Sequence, residues 1–211
     1  MATTTHHTPT VFATRRLLTC GVLAGPIYLA VGAIQAAVRD GFDPRRHALS
    51  LLANGSWGWV QSVNLMICGI LVIAAAAGLR RTLTSRWAPR LLAVFGFGTL
   101  GGGIFRADPA LGFPVGTPET ATSVSWHGML HFTLGGIGFL CLILACAVLA
   151  RQLWRDGVRG WAVFTAITGL VFFAGFAGIA SGSAGESTTL GFYFAVCLAF
   201  GWLTAFCARE R

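Results

Sequence analysis

Six apolar stretches constrain this chain more than any other feature. They cover about 17–38, 58–79, 90–107, 125–150, 161–181 and 188–207. Each is near the roughly 20 residues a helix needs to cross a hydrocarbon core. In lipid no water is present to satisfy backbone N–H and C=O groups, so an open chain of this kind must cross as helices. The sequence therefore predicts an all-α membrane protein, a six-transmembrane-helix bundle. Composition agrees: 55% of residues are hydrophobic and 10% charged, against about 25% charged in a soluble domain. The net charge is +8 and every basic residue is an arginine. These arginines fall in short gaps between apolar runs, a placement that sets membrane topology and argues against a nucleic-acid partner.

Orientation follows from that placement. With the N-terminus inside, the inner segments hold 11 of the 15 arginines, and the outer segments hold Arg39, Arg45, Arg46 and Arg106. The positive-inside rule then puts both termini in the cytoplasm of a cell whose plasma membrane the chain spans. The first run, after Arg15 and Arg16, is too long for a signal peptide and lacks a small-residue cleavage site, so it reads as a retained helix. Residues 1–14 read as a disordered cytoplasmic tail, 15–208 as one transmembrane domain, and 209–211 as a cytoplasmic C-terminus. His6 and His7 in the tail are a weak metal pair. The six cysteines lie inside apolar segments without a CxxC pair and read as small buried hydrophobes.

Two long gaps face outward. In the first, RDGFDPRRHALSLLANGSW (39–57), Asp43 suits an N-cap, Pro44 a first helical residue, and Asn54–Gly55 a stop. A short interfacial helix over about 44–54 is expected between helices one and two. The second, DPALGFPVGTPET (108–120), carries three prolines and two glycines and reads as an ordered cover.

Polar side chains gather in the outer third: Gln35, His47, Ser50, Gln61, Asn64, Arg106, Asp108, His127, His131, Ser181, Ser183 and Glu186. No acid or base lies near the middle of a run, where a proton relay or ion path would place one. His127 and His131 form HGMLH, the i,i+4 spacing that lets two imidazoles on one helix face share a metal. With His47 and Asp108 at similar depth they make a candidate four-coordinate zinc site. Zinc would generate hydroxide near neutral pH, with Ser50 and Asp108 as the catalytic pair and Ser50 orienting that water or stabilising an oxyanion. The competing reading is structural. Two histidines near a helix start can bond to loop carbonyls, Asp108 can cap a turn, and Ser50 can bond to its own backbone.

The stretches GFDPRRHALSLLANGSWGWVQSVN (41–64), GGGIFRADPALGFPVGTP (101–118) and SWHGMLH (125–131) resemble a bacterial family of integral membrane proteins known as domain of unknown function 998. That resemblance covers roughly 17–207 and implies a multi-pass fold without an established activity. The set His47, Ser50, Asp108, His127 and His131 is also similar in inventory to the intramembrane zinc amidases of the alkaline ceramidase and adiponectin-receptor type. Those proteins have seven helices and carry the HxxxH on the last of them.

Three functions follow as expectations. The first is a metal-dependent membrane hydrolase acting on a lipid or lipid-linked amide or ester at the outer face. The second is a non-enzymatic lipid-binding, sensory or assembly subunit with a structural polar cluster. The third, a transporter or channel, has the least support, because no midplane charge or inverted repeat is seen. Reporter fusions after Arg86 and Arg155 are expected to report cytoplasm and one after Glu119 the outside; a cytoplasmic signal at Glu119 would refute the topology.

Overall fold

A computed structural model describes residues 8–120, 123–182 and 185–211, so His6, His7 and Ser183 lie outside the described residues. Six α-helices run in order: α1 Thr8–Val38, α2 Gly58–Thr82, α3 Trp87–Ile104, α4 Trp126–Arg155, α5 Arg159–Ala180 and α6 Glu186–Glu210. Among the described residues the only other regular element is a 3-10 helix, Leu49–Ala53. Five helices are long and apolar enough to cross a membrane: all but α3. Five glycines and a Trp-Ala-Pro-Arg start lower the hydropathy of α3.

Each helix packs on its neighbour in sequence, and α6 closes on α1, so the six form a ring. The outer surface of the ring is apolar along its middle, with Ile70, Phe97, Leu144, Leu170 and Phe194 exposed. Trp57, Trp59 and Trp126 mark one end and Trp87 and Trp154 the other. Aromatic rings at both ends of an apolar band are the signature of the two membrane interfaces. Arginines join that belt at the end where the termini lie: Arg90 stands over Trp87, Arg159 over Trp154 and Arg209 over Trp161 at 5.3–5.6 Å.

Glycine sets how closely the helices approach. A Cβ on Gly69 of α2 would stand 2.6 Å from the Gly96 carbonyl oxygen of α3, and one on Gly98 would stand 2.5 Å from the Leu134 oxygen of α4. Small residues at such crossings let backbones meet and supply the packing that lipid cannot provide through a hydrophobic effect. Toward the termini the ring is filled by Trp202, Phe206, Leu79, Leu149 and Leu18, all buried, with the Trp202 indole donating to the Thr165 hydroxyl at 3.0 Å.

Two expectations are corrected. Residues 8–14 of the expected tail are helical, because Pro9 sits in the first turn of α1, where its missing N–H costs nothing. The expected interfacial helix over 44–54 is interrupted. Residues 43–47 form one turn, with the His47 amide donating to the Asp43 carbonyl at 2.8 Å, and the 3-10 helix starts only at Leu49. The Asp43 carboxylate accepts from the Arg45 amide, and the His47 carbonyl takes a bond from the Tyr193 hydroxyl of α6 instead of continuing a helix. Leu51, Leu52 and Ala53 are buried, so the segment packs into the end of the ring.

Gly98→Ala is expected to destabilise the protein by about 1–3 kcal/mol through overpacking against backbone that cannot yield. Gly201→Ala, whose Cβ meets nothing within 4 Å, is expected to be neutral or stabilising by up to about 1 kcal/mol. Thermal unfolding in detergent reads both.

Candidate functional site

Helices that end near hydrocarbon leave carbonyls and amides without partners, and His131, Asp108 and Ser181 bond at such ends. His131, one turn into α4, places Nδ1 2.8 Å from the Phe105 oxygen and 3.2 Å from the Gly102 oxygen at the end of α3. Two acceptors there mean that Nδ1 carries the proton, leaving Nε2 as a lone-pair acceptor in the neutral ring. Asp108 accepts from the amide and the hydroxyl of Ser125, and Ser125 caps α4 by accepting from the Gly128 amide. A Cβ on Gly128 would collide with the Asp108 carboxylate. A negative charge at the start of α4 also opposes the positive end of its dipole.

His47 is 3% exposed. Its Nδ1 accepts from the Asp43 amide at 2.9 Å, so Nε2 donates to the Leu111 carbonyl at 2.9 Å. Leu111 holds a left-handed φ of 57° to present that carbonyl, a conformation L residues adopt only under constraint. Phe42 and Phe113 flank the His47 ring. Arg39 donates to the Leu52 and Asn54 carbonyls and stands over Phe113, and burial lowers its pKa from the ordinary value. Arg46 pairs with Glu119 and Arg45 with Glu186, fastening the first outer segment to the second and to α6. The expected cover over 108–120 is thus tied down at Leu111, Phe113 and Glu119.

His127 does not join His131. Its ring packs 3.7 Å from Trp126 and 5.9 Å from Phe105, on the exposed side of the helix start. Among the described residues no group of three or more His, Cys, Asp or Glu side chains is placed to hold a metal ion. His47 has both ring nitrogens committed to backbone, and the Asp108 oxygens are spent on Ser125. As arranged, His47, His127, His131 and Asp108 do not fit one zinc ion, and the likeness to zinc amidases finds no support.

What the ring does enclose is a cavity of about 160 Å³ in its outer half, roofed by Ala48, Leu49 and Ser50 and walled by all six helices. Phe95, Phe139, Phe172, Phe176, Phe192 and Phe200 make it strongly aromatic. Ser50 and His131 line it as well, so two expected site residues do meet there. Two tyrosines were missed. Tyr28 and Tyr193, the chain's only tyrosines, both face the cavity. Gly135 and Gly136 form part of its wall, where a Cβ on Gly135 would meet nothing within 4 Å. Two tyrosines embedded in apolar runs were the available signal.

A membrane-type helical ring with an internal aromatic cavity defines a multi-pass membrane protein. The chain belongs to the family described as Protein of unknown function (DUF998), which it matches over residues 22–209. It is also 42% identical over 53 residues to a vacuolar cationic amino acid transporter 8 of Arabidopsis thaliana, a stretch covering 25% of this chain and 8% of that protein. No solved structure matches.

Asp108→Ala is expected to lower stability by about 1–2 kcal/mol through the lost bonds from the Ser125 amide and hydroxyl that hold the α4 cap, with Asp108→Asn less harmful. Unchanged thermal unfolding of Asp108→Ala would show that the carboxylate does not hold α4.

Proposed function

We propose that the protein binds one lipid-like molecule, its apolar chain inside the ring and its polar end under the outer 3-10 helix. The observation that carries this is the aromatic cavity roofed by Ser50 and edged by His131. In this reading all six helices span the membrane with both termini cytoplasmic. The arginine asymmetry and the two tryptophan belts support it, and the 18 residues of α3 reach about 27 Å at 1.5 Å per residue.

Access runs sideways between α4 and α5. Deeper in the bundle these helices meet tightly, a Cβ on Gly169 standing 2.8 Å from Cys146. At Gly136 only the tip of Phe176 approaches, at 3.8 Å. Phe132 lines the cavity while 61% exposed, so the wall there is shared with the bilayer. Cationic amino acid transport has no support from the cavity, since no Asp or Glu lines it. Metal-dependent hydrolysis is the less favoured reading, because both ring nitrogens of His47 bond to backbone and His127 packs on Trp126 at the exposed side of the helix start.

A Gly135→Phe side chain enters open space and fills the cavity. Labelling of α4–α6 peptides by a photoactivatable alkyl diazirine is expected in the native protein and to fall at least about fivefold in this variant, the factor for roughly 1 kcal/mol, with folding intact. Equal labelling of both proteins would sink the binding reading. Stoichiometric zinc in purified protein, lost in His131→Ala, would restore the hydrolytic one.

A further inference from the structure

The cavity holds three hydrogen-bonding groups that the protein itself leaves unused. The Tyr28 side chain is more than nine-tenths buried, at 8% exposure, and lines the cavity. Among the described residues its hydroxyl takes part in no side-chain bond, while its backbone carbonyl also accepts from the Asn64 amide. Ser50, at the roof, likewise makes no side-chain bond. His131 spends Nδ1 on the end of α3 and leaves Nε2 free. By contrast Thr99 is satisfied by the Phe95 carbonyl and Tyr193 by the His47 carbonyl.

Among the described residues no Arg, Asp or Glu side chain lines the cavity. The arginines nearest the roof are already committed, Arg39 to carbonyls and Arg45 and Arg46 to carboxylates. An ionised group brought into such a space would lose its water without gaining a counter-charge, which costs several kcal/mol. A neutral polar group with a donor and an acceptor meets the opposite situation: the imidazole nitrogen accepts, and the two hydroxyls donate or accept.

Resting on the binding reading above, we infer that the bound molecule ends in an uncharged group able both to donate and to accept a hydrogen bond, a hydroxyl or a primary amide, held by His131, Ser50 and Tyr28. Carboxylates and phosphate esters are rejected. Each unpartnered group that gains a bond contributes about 1 kcal/mol net, close to fivefold in affinity.

The test uses the full chain in nanodiscs, with dodecanol, dodecanamide, dodecanoic acid and dodecane competing against the diazirine probe at neutral pH. Dodecanol and dodecanamide are expected to compete at least fivefold better than dodecane, and dodecanoic acid no better than dodecane. Ser50→Ala and Tyr28→Phe remove no bond that the protein makes with itself, so both should fold as the native chain does. Each is expected to cut the advantage of dodecanol over dodecane about fivefold. His131→Gln, which keeps a donor and an acceptor, is expected to retain more of that advantage than His131→Phe. Dodecanoic acid competing as well as dodecanol, or dodecanol no better than dodecane, would overturn the inference while leaving a cavity for apolar chains. Failure of every probe to compete, with Gly135→Phe labelled like the native protein, would instead overturn the binding reading itself.

Discussion

The ends of the helices govern the outer third of this molecule. A backbone that stops being helical within reach of hydrocarbon leaves polar groups without water to satisfy them, and each unsatisfied group is expensive. The chain answers with side chains drawn from other elements. His131 of α4 serves the last carbonyls of α3, Asp108 serves the first turn of α4, and the Asn54 amide reaches the Ala107 carbonyl. Arg39 and His47 serve the loop backbone in the same way. Each bond crosses between segments, so satisfying the helix ends also fixes the two outer loops against the ring and holds the roof over the cavity.

Glycine acts in two ways around the ring. Where Gly69, Gly98 and Gly103 meet carbonyls of a neighbouring helix, the backbones close up. At Gly135 and Gly136 the small residue has no opposing backbone, and its missing side chain becomes volume. A packed core tolerates little empty space, because lining atoms lose dispersion contacts there. A persistent aromatic cavity therefore needs either a guest or a compensating rigidity around it. The buried amides of Gln35, Gln61 and Asn64 supply rigidity between α1 and α2: Gln35 and Asn64 both donate to the Gln61 oxygen, at 2.8 and 3.2 Å.

The helices were legible in the sequence because length and hydropathy alone decide them, and their ends were less so for an identifiable reason. Arginines read as breaks lie within helices: α2 continues through Arg80 and Arg81 to Thr82, and α4 through Arg151 to Arg155. A long arginine stem covers apolar surface while its head reaches the interface, so charge marks the membrane boundary and not the helix end. The outer 3-10 helix was legible as a helical segment but not in extent, since the bond between Tyr193 and His47 that interrupts it spans 146 residues of sequence.

The candidate site shows why residue type and spacing run out. An i,i+4 pair shares a helix face, but four residues turn a helix about 40° past a full turn and rise about 6 Å. At His131 that places a ring against the end of α3. At His127, one turn higher, α3 has already ended at Ile104, and the ring stacks on Trp126 beside Phe105. Spacing predicted a shared direction and could not predict what stood in that direction. The carbonyls of α3 then fix the ring: by accepting the Nδ1–H bond they hold the imidazole in the tautomer whose Nε2 keeps its lone pair.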